Sequence, residues 1–328
     1  MNIDKLVSEL GNYFRVNSKE IAAMVYNTGS VIEPYMRTVT RVKGQFPAIN
    51  SITSDVIQGF KPEWNEVGET TIKPNILVAY DQKINFPIIP DEIEASWLGE
   101  LNEEDLDLPE KSISKYIMDK ELMPKAQENV NYLMVRGRYN SNALGTFGNS
   151  MNGVEKMLEL GLLSTDNPMY QIPLSAFTSS SMVDNVTLFE KRIPKAIRGK
   201  IKAIFLSEED LDNYVEDMLN TYPFLVGADK LEIAKSPIKK IPLIGVPEMT
   251  AGKFMFATPD GNLLKLVDKF DKPALTDIQK LDYKVKLFFR FHLGVGFWTN
   301  QLVFVGFAGG SASGLANSIS GTQTYYRY

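Results

Sequence analysis

His292 is the one histidine in the chain, and a hydrolase triad needs an imidazole held between a nucleophile and an acid. Its surroundings do not supply such a triad. No serine sits in a Gly-x-Ser-x-Gly elbow, Ser179–Ser181 read as a helix cap, and His292 lies mid-strand within LFFRFHLGVGF. A half-buried sheet histidine is the better reading. Gly294-Val-Gly296 matches only the start of a dinucleotide loop, and FAGGSASG lacks the Lys-Ser/Thr of a phosphate loop. The acids Glu100, Glu103, Glu104, Asp105 and Asp107 lack the spacing and glycine of a calcium loop, so they read as a solvated or partner-facing surface. Lys191, Arg192, Lys195, Arg198, Lys200 and Lys202 form the densest basic run. It reads as a solvated helix end and loop, with phosphates or an acidic partner as the alternative. The chain has no cysteine, which excludes disulfides, thiolate catalysis and cysteine-ligated metal, and a single histidine excludes a multi-histidine site. No catalytic, cofactor-binding or metal site emerges, and the expectation is a protein that is not an enzyme.

The elements that would position a site come next. At 328 residues and 36.8 kDa the chain is long enough for two or three packed units. A formal net charge of −5 argues against a protein whose task is gripping nucleic acid. The start, MNIDKLVSEL, lacks an apolar signal core, and the most apolar window, Leu287–Gly309, is broken by Arg290, His292, Asn300 and Gln301. Secretion and a membrane span are therefore not expected.

Along the chain, Asn2–Phe14 and Lys19–Asn27 carry helical spacing, whereas Val31–Gly68 reads as an irregular arm unable to bury itself. Thr70–Pro90 is β-rich but holds Pro74, Pro87 and Pro90, which points to edge strands or a two-stranded ribbon wanting a neighbour. Trp97 is the apolar anchor of the acidic segment that follows. Lys111–Arg138 is expected to be the longest helix, kinked or restarted at Pro124. Asn152–Leu160 is read as a helix stopped by Gly161, and Ser181–Ile193 as another. Ile201–Leu206 reads as a strand, after which Ser207 caps a helix with Asp210 as capping-box partner. Lys253–Ala257 and Leu263–Val267 flank Pro259-Asp260-Gly261-Asn262 and predict a hairpin. Lys284, Lys286 and Arg290 alternate with Val285, Leu287, Phe289 and Phe291 as in a half-buried strand, and Leu302–Phe307 reads as one more.

Three stretches together carry a resemblance. They are IPLIGVPEM…FMFATPDGNLLKLVDK with DYKVKLFFRFHLGVGF and QLVFVGF, then IPDEIEASWLGEL ahead of the long helix, and GKIKAIFLSEEDLDNYVEDMLNTYP. In texture and order the chain resembles the major capsid proteins of tailed phages with the Hong Kong 97-type fold, most of all those of crAss-like and related Bacteroidota phages. The resemblance implies an α+β fold with an N-terminal arm (1–68) and an extended β-loop (69–109). It further implies a long spine helix opening the peripheral domain (110–150), an axial domain (151–245), and a return to the peripheral domain with a C-terminal tail (246–328).

The function it implies is a structural one: self-assembly into hexamers and pentamers of an icosahedral head around double-stranded DNA, held only non-specifically. Portal, scaffolding and decoration proteins are the expected partners, with assembly in the host cytoplasm and residence in the virion. Tyr35, Ile84, Phe86 and Trp97 are the candidate inter-subunit contacts. Lys73 and Lys83 lie in the ribbon, but no asparagine partner or activating glutamate is identifiable, so covalent cross-linking is not expected. The alternatives are an encapsulin-like nanocompartment shell, a minor virion component, and a soluble hydrolase using His292.

Overall fold

The computed structural model describes residues 3–49, 51–53, 57–67, 70–72, 74–104, 112–164, 167–223, 233–268, 274–281 and 284–308. Its first third contains α1 (Ile3–Val16), α2 (Ser18–Tyr26), β1 (Arg37–Val39), β2 (Gly44–Ala48), β3 (Ser51–Thr53), β4 (Thr70–Ile72), β5 (Asn75–Ile88) and α3 (Pro90–Glu104). The middle holds α4 (Ile113–Tyr116), α5 (Met123–Arg136), α6 (Val154–Leu163), β6 (Tyr170–Leu174), α7 (Met182–Arg192), α8 (Lys195–Arg198), β7 (Ile201–Ser207) and α9 (Glu208–Thr221). Strands β8 (Leu243–Val246), β9 (Phe254–Pro259), β10 (Leu263–Val267), β11 (Ala274–Leu281), β12 (Lys284–Phe297) and β13 (Phe304–Ala308) complete it.

Two sheets organise these elements. One has the order β1-β10-β12-β5-β2, with β11 also on β12; the other has the order β6-β13-β9-β7-β8. The alternation expected over Lys284–Phe291 is real: charged residues face out and Val285, Leu287, Phe289 and Phe291 are buried. In β7 the same period divides the side chains between two cores. Ala203 and Phe205 join the larger core, while Ile204 and Leu206 pack beneath α7 and α9 with Phe189 and Tyr214.

The expected hairpin at residues 253–267 is corrected. Its turn exists, closed by Asn262 N–H donating to the Pro259 carbonyl at 3.2 Å, with Gly261 at φ 76°. The strands on either side do not pair. β9 bonds to β7 and β13, whereas β10 bonds to β1 and β12, so the turn hands the chain from one sheet to the other. Both strands are almost wholly buried, and a strand buried on both faces needs cover on each, which a solvated hairpin cannot provide. Asn262 locks the handover, accepting from Thr299 N–H at 2.8 Å and donating to Thr258 Oγ1 at 2.7 Å and the Thr299 carbonyl at 3.0 Å.

The N-terminal segment also differs from expectation. Leu6, Leu10, Phe14, Ile21, Val25 and Tyr26 are buried in the chain's own main core, with Phe14 edge-on to Phe289 at 5.4 Å. Residues 3–35 therefore pack on the body, and only later residues stand out from it. The long helix is present but interrupted as Pro124 requires: α4 passes through a π turn at Ile117–Leu122 before α5 begins. The wider winding just ahead of Pro124 accommodates a ring that an unbroken α-helix would force into the preceding turn.

Gly161 does not stop α6. The helix runs on to Leu163, and the missing side chain leaves room for Met169, whose N–H donates to the Gly161 carbonyl at 3.0 Å. Ser207 caps α9 by accepting from Asp210 N–H at 3.0 Å, yet the reciprocal half of the box is absent. Asp210 accepts instead from Ser207 Oγ at 2.7 Å and from Gly252 N–H at 3.0 Å, and burial raises its pKa. Ser181 stands at the start of α7 without capping it, because its hydroxyl donates back to the Ala176 carbonyl at 2.6 Å. The last strand starts at Phe304, after a 3-10 turn at Asn300–Leu302.

Candidate subunit interface

Strand β2 pairs antiparallel with the first residues of β5, from Gly44↔Ala79 to Ala48↔Asn75, and β3 pairs with β4 from Ser51↔Ile72 to Thr53↔Thr70. The two lines of chain run in step past the last rung that β5 shares with β12, at Tyr80. Ala48, Leu77 and Ala79 still pack on Leu264 and Leu266, and Asn75 Nδ2 donates to the Phe297 carbonyl at 2.7 Å; beyond them the hairpin carries residues 57–67 at its far end. The boundary expected at 68/69 falls inside this unit. Ile57, Phe60 and Trp64 are 92%, 95% and 94% exposed. The tip is shaped by a reciprocal amide pair: Gln58 Nε2 donates to the Asn65 carbonyl at 2.7 Å, and Asn65 Nδ2 to Gln58 Oε1 at 3.1 Å. Burying a side chain of this size is worth about 1.5–3 kcal/mol, so three left bare make this tip a candidate contact surface.

The other end of β5 borders a groove of about 1130 Å³. Its walls are residues 81–86 of β5, helix α5 as far as Leu133, and the loop of residues 144–148. Over residues 80–88, β5 has β12 on one side and, among the described residues, no strand on the other. Of the three prolines Pro87 lies on this edge, whereas Pro74 precedes β5 and Pro90 opens α3. The described strands of residues 70–90 do not pair with each other: β4 forms a two-stranded ladder with β3, and the long partner of β5 is β12, far along the chain. Ile84 and Phe86 line the groove, half-buried against the main core. Trp97 on α3 packs on the same core, and Tyr35 meets Phe205 edge-on at 5.2 Å. The four expected contact residues are therefore not one patch: two line the groove and two stand elsewhere.

No protein-family model matches the chain, and no curated protein matches its sequence. Solved structures do. The satellite phage P4 procapsid, including its size determination (Sid) protein, aligns over 92% of this chain and 97% of its own at TM-score 0.57 and 11% identity. The capsid of the empty GTA particle aligns over 88% and 97% at TM-score 0.54 and 10% identity. The capsid of Myoviridae phage XM1 aligns over 84% and 90% at TM-score 0.52 and 8% identity. The fold is the Hong Kong 97 type.

Within this Hong Kong 97-type fold, the chemistry-bearing residues take ordinary structural posts. His292 stands opposite Asp81 in the β12–β5 ladder, half-buried, with Nδ1 3.6 Å from Asp268, which Lys43 also approaches at 3.3 Å. Asp81 is bonded to Arg290 at 2.8–2.9 Å through Nε, and this pairing holds its carboxyl below the usual range. Arg198 closes the end of α7, donating to the Lys191 and Ile193 carbonyls at 2.9 Å, and Lys202 pairs with Asp260. Part of the basic run is thus structural. No group of three His, Asp or Glu able to hold a metal occurs among the described residues, and Asp105 and Asp107 lie outside them. No described helix is long and apolar enough to cross a membrane.

Reading residue types singly missed the tip. Its signal is an aromatic pair, Phe60 and Trp64, set among polar residues between Gly59 and Glu66. Also unforeseen is a charged knot fastening α6 to the segment after α5 and to the residues just before β9. Glu159 on α6 takes Arg138 at 2.5 Å, Lys253 at 2.5 Å and Lys156 at 3.2 Å, while buried Glu155 accepts from Thr250. Burial alone would raise the Glu159 pKa, but hydrogen bonds from Arg138, Lys253 and Lys156 bring it to about 2. A carboxylate whose folded pKa is depressed contributes stability above its unfolded value near 4.3 and loses it as pH falls toward the folded value. Wild-type urea midpoints should therefore decline between about pH 4.5 and pH 2 more steeply than those of Glu159→Gln. Parallel slopes would mean that Glu159 is not held this way.

Proposed function

We propose that this chain is the shell-forming major capsid protein of a tailed phage, building the hexamers and pentamers of an icosahedral head around double-stranded DNA. The observation that carries this reading is the shared fold, which spans nearly the whole of this chain and of the aligned capsid subunits. The exposed hairpin tip supports it, since each subunit in a closed shell gains several modest interfaces that cover such surfaces. The mild negative charge suits a container that does not grip its contents.

In this reading residues 44–79 serve as the extended loop, α4 and α5 as the spine, the β5/β12 sheet as the peripheral domain, and the other sheet with α7–α9 as the axial domain. Tyr35 and Trp97 remain candidates for contact with neighbours. Portal, scaffolding and decoration proteins are its partners, its texture resembles that of the capsid proteins of crAss-like and related Bacteroidota phages, and the virion is its place. No catalytic step is assigned.

Sedimentation velocity of the purified chain, with negative-stain microscopy of each fast fraction, tests this. Rings of five or six subunits, shells or capsomer tubes are expected, and His292→Ala should assemble like the wild type. A chain that stays monomeric at every concentration and salt would overturn the proposal.

A further inference from the structure

We infer that a basic patch at the end of α7, with Leu188 and Ile238 among its cations, docks the acidic, leucine-bearing residues 98–110 of a second copy of this chain; this deepens the shell reading and rests on it. The patch is assembled by the fold. Glu190, buried in the last turn of α7, accepts from Lys239 N–H at 2.8 Å and from Ile238 N–H at 3.3 Å, one oxygen to each. These bonds pin residues 238–240 against the helix end, so exposed Lys239 and Lys240 join exposed Lys191, Arg192 and Lys195. Lys191, Lys195, Lys239 and Lys240 have no acidic partner among the described residues. Like charges gathered this closely repel one another until something acidic covers them.

Two apolar side chains narrow the choice of partner. Leu188 precedes Lys191 and Arg192 by three and four residues, which places the three on one face of α7, and Ile238 adjoins Lys239. Leu188 is 38% exposed and Ile238 41%. A nucleic-acid backbone would answer the charges and leave both apolar groups bare. A peptide that carries carboxylates and leucines together answers both.

The chain itself supplies that peptide. Residues 98–110, LGELNEEDLDLPE, hold six carboxylates and four leucines with no basic residue. Leu98, at their start, is 42% exposed, and residues 105–110 lie outside the described ones. The other acidic run, on α9, is not available in this way, because its Leu211, Tyr214 and Met218 pack on the core beneath it. On either side of the acidic segment, Trp97 packs on the main core and Ile113 is buried in it, whereas the patch stands on the other core through Phe189, Ile193 and Ile197. Complementary surfaces borne on different cores of one subunit suit a head-to-tail contact, each copy giving its segment to one neighbour and receiving another's.

The absence of cysteine makes the test clean. Glu104→Cys chains mixed with Lys195→Cys chains before assembly, then treated with a short bis-maleimide, should give a denaturation-resistant two-chain band that neither gives alone. A mixture of Asp107→Cys and Lys240→Cys chains repeats the test should either first variant fail to assemble. Lys239→Glu/Lys240→Glu should leave the urea midpoint unchanged yet raise the concentration needed for assembly about tenfold, and adding Glu103→Lys/Glu104→Lys to the same chain should restore it. Assemblies that form with no mixed band in either pairing overturn this inference and leave the shell reading standing. So does a DNA duplex retained by the wild type and lost by Lys239→Glu/Lys240→Glu while the band is missing, which would give the patch to packaged DNA. A wild-type chain that remains monomeric removes both.

Discussion

Glu33→Ala should lower the unfolding free energy by about 3–5 kcal/mol, the range for removing one partner of a buried ion pair. Lys265 lies in β10 with its side chain only 2% exposed, and its Nζ donates to Glu33 and to the Tyr26 carbonyl. Burial pulls the lysine below the usual range, with Glu33 opposing that shift. The same carboxylate accepts from Thr28 N–H at 3.1 Å and Gly29 N–H at 3.2 Å, so it fastens the end of α2 as well as neutralising the lysine. Without it, a buried ammonium keeps one backbone acceptor and two N–H groups lose theirs. The double change Glu33→Gln/Lys265→Met should recover most of the loss, because replacing both members by uncharged side chains removes the stranded charge while the glutamine carbonyl oxygen at position 33 can still accept from the backbone. Urea denaturation of the three proteins decides this. A single variant as stable as the wild type would mean that Lys265 is hydrated rather than buried.

Phe256→Ala should cost a similar amount, about 3–5 kcal/mol, the range for truncating a buried Phe. Phe256 is fully buried on β9, stacked on Phe205 at 4.9 Å and edge-on to Phe297 of β12 at 6.2 Å. Phe205 in turn meets Tyr35. This run of rings crosses from one sheet to the other, so the vacated space would lie at their seam and cannot be filled by moving one side chain. Calorimetry should show a lower Tm, with Phe256→Leu losing less because it keeps more of the volume. If the alanine variant melted with the wild type, the two sheets would not share a packed core at this point.

Much of the local structure was legible because local causes dominate it. Ser207 at the head of α9, the alternation in β12 and the interruption of the long helix at Pro124 follow from a hydroxyl, a period of two and a missing N–H. The texture resemblance reached the fold class for another reason: order and spacing of elements survive in a chain that shares only 8–11% identity with the capsids aligned to it. Partner choice was not legible in this way. The turn at residues 259–262 looks the same whether its strands pair with each other or leave for different sheets, and only the cover available to two almost wholly buried strands decides.

The sequence by itself determined the helix capped by Ser207, the alternating strand over residues 284–291, the edge character of the strand that holds Pro87, and the absence of thiol or multi-histidine chemistry. These depend on neighbours within a few residues, or on composition. The tertiary structure alone decided that residues 3–35 complete the core, that β2 pairs with β5 and β3 with β4 in one hairpin, and that β5 holds a tip at one end and a groove at the other. Those facts rest on pairings and packing between residues far apart in the chain, whose energies depend on what lies opposite each side chain rather than on its own type.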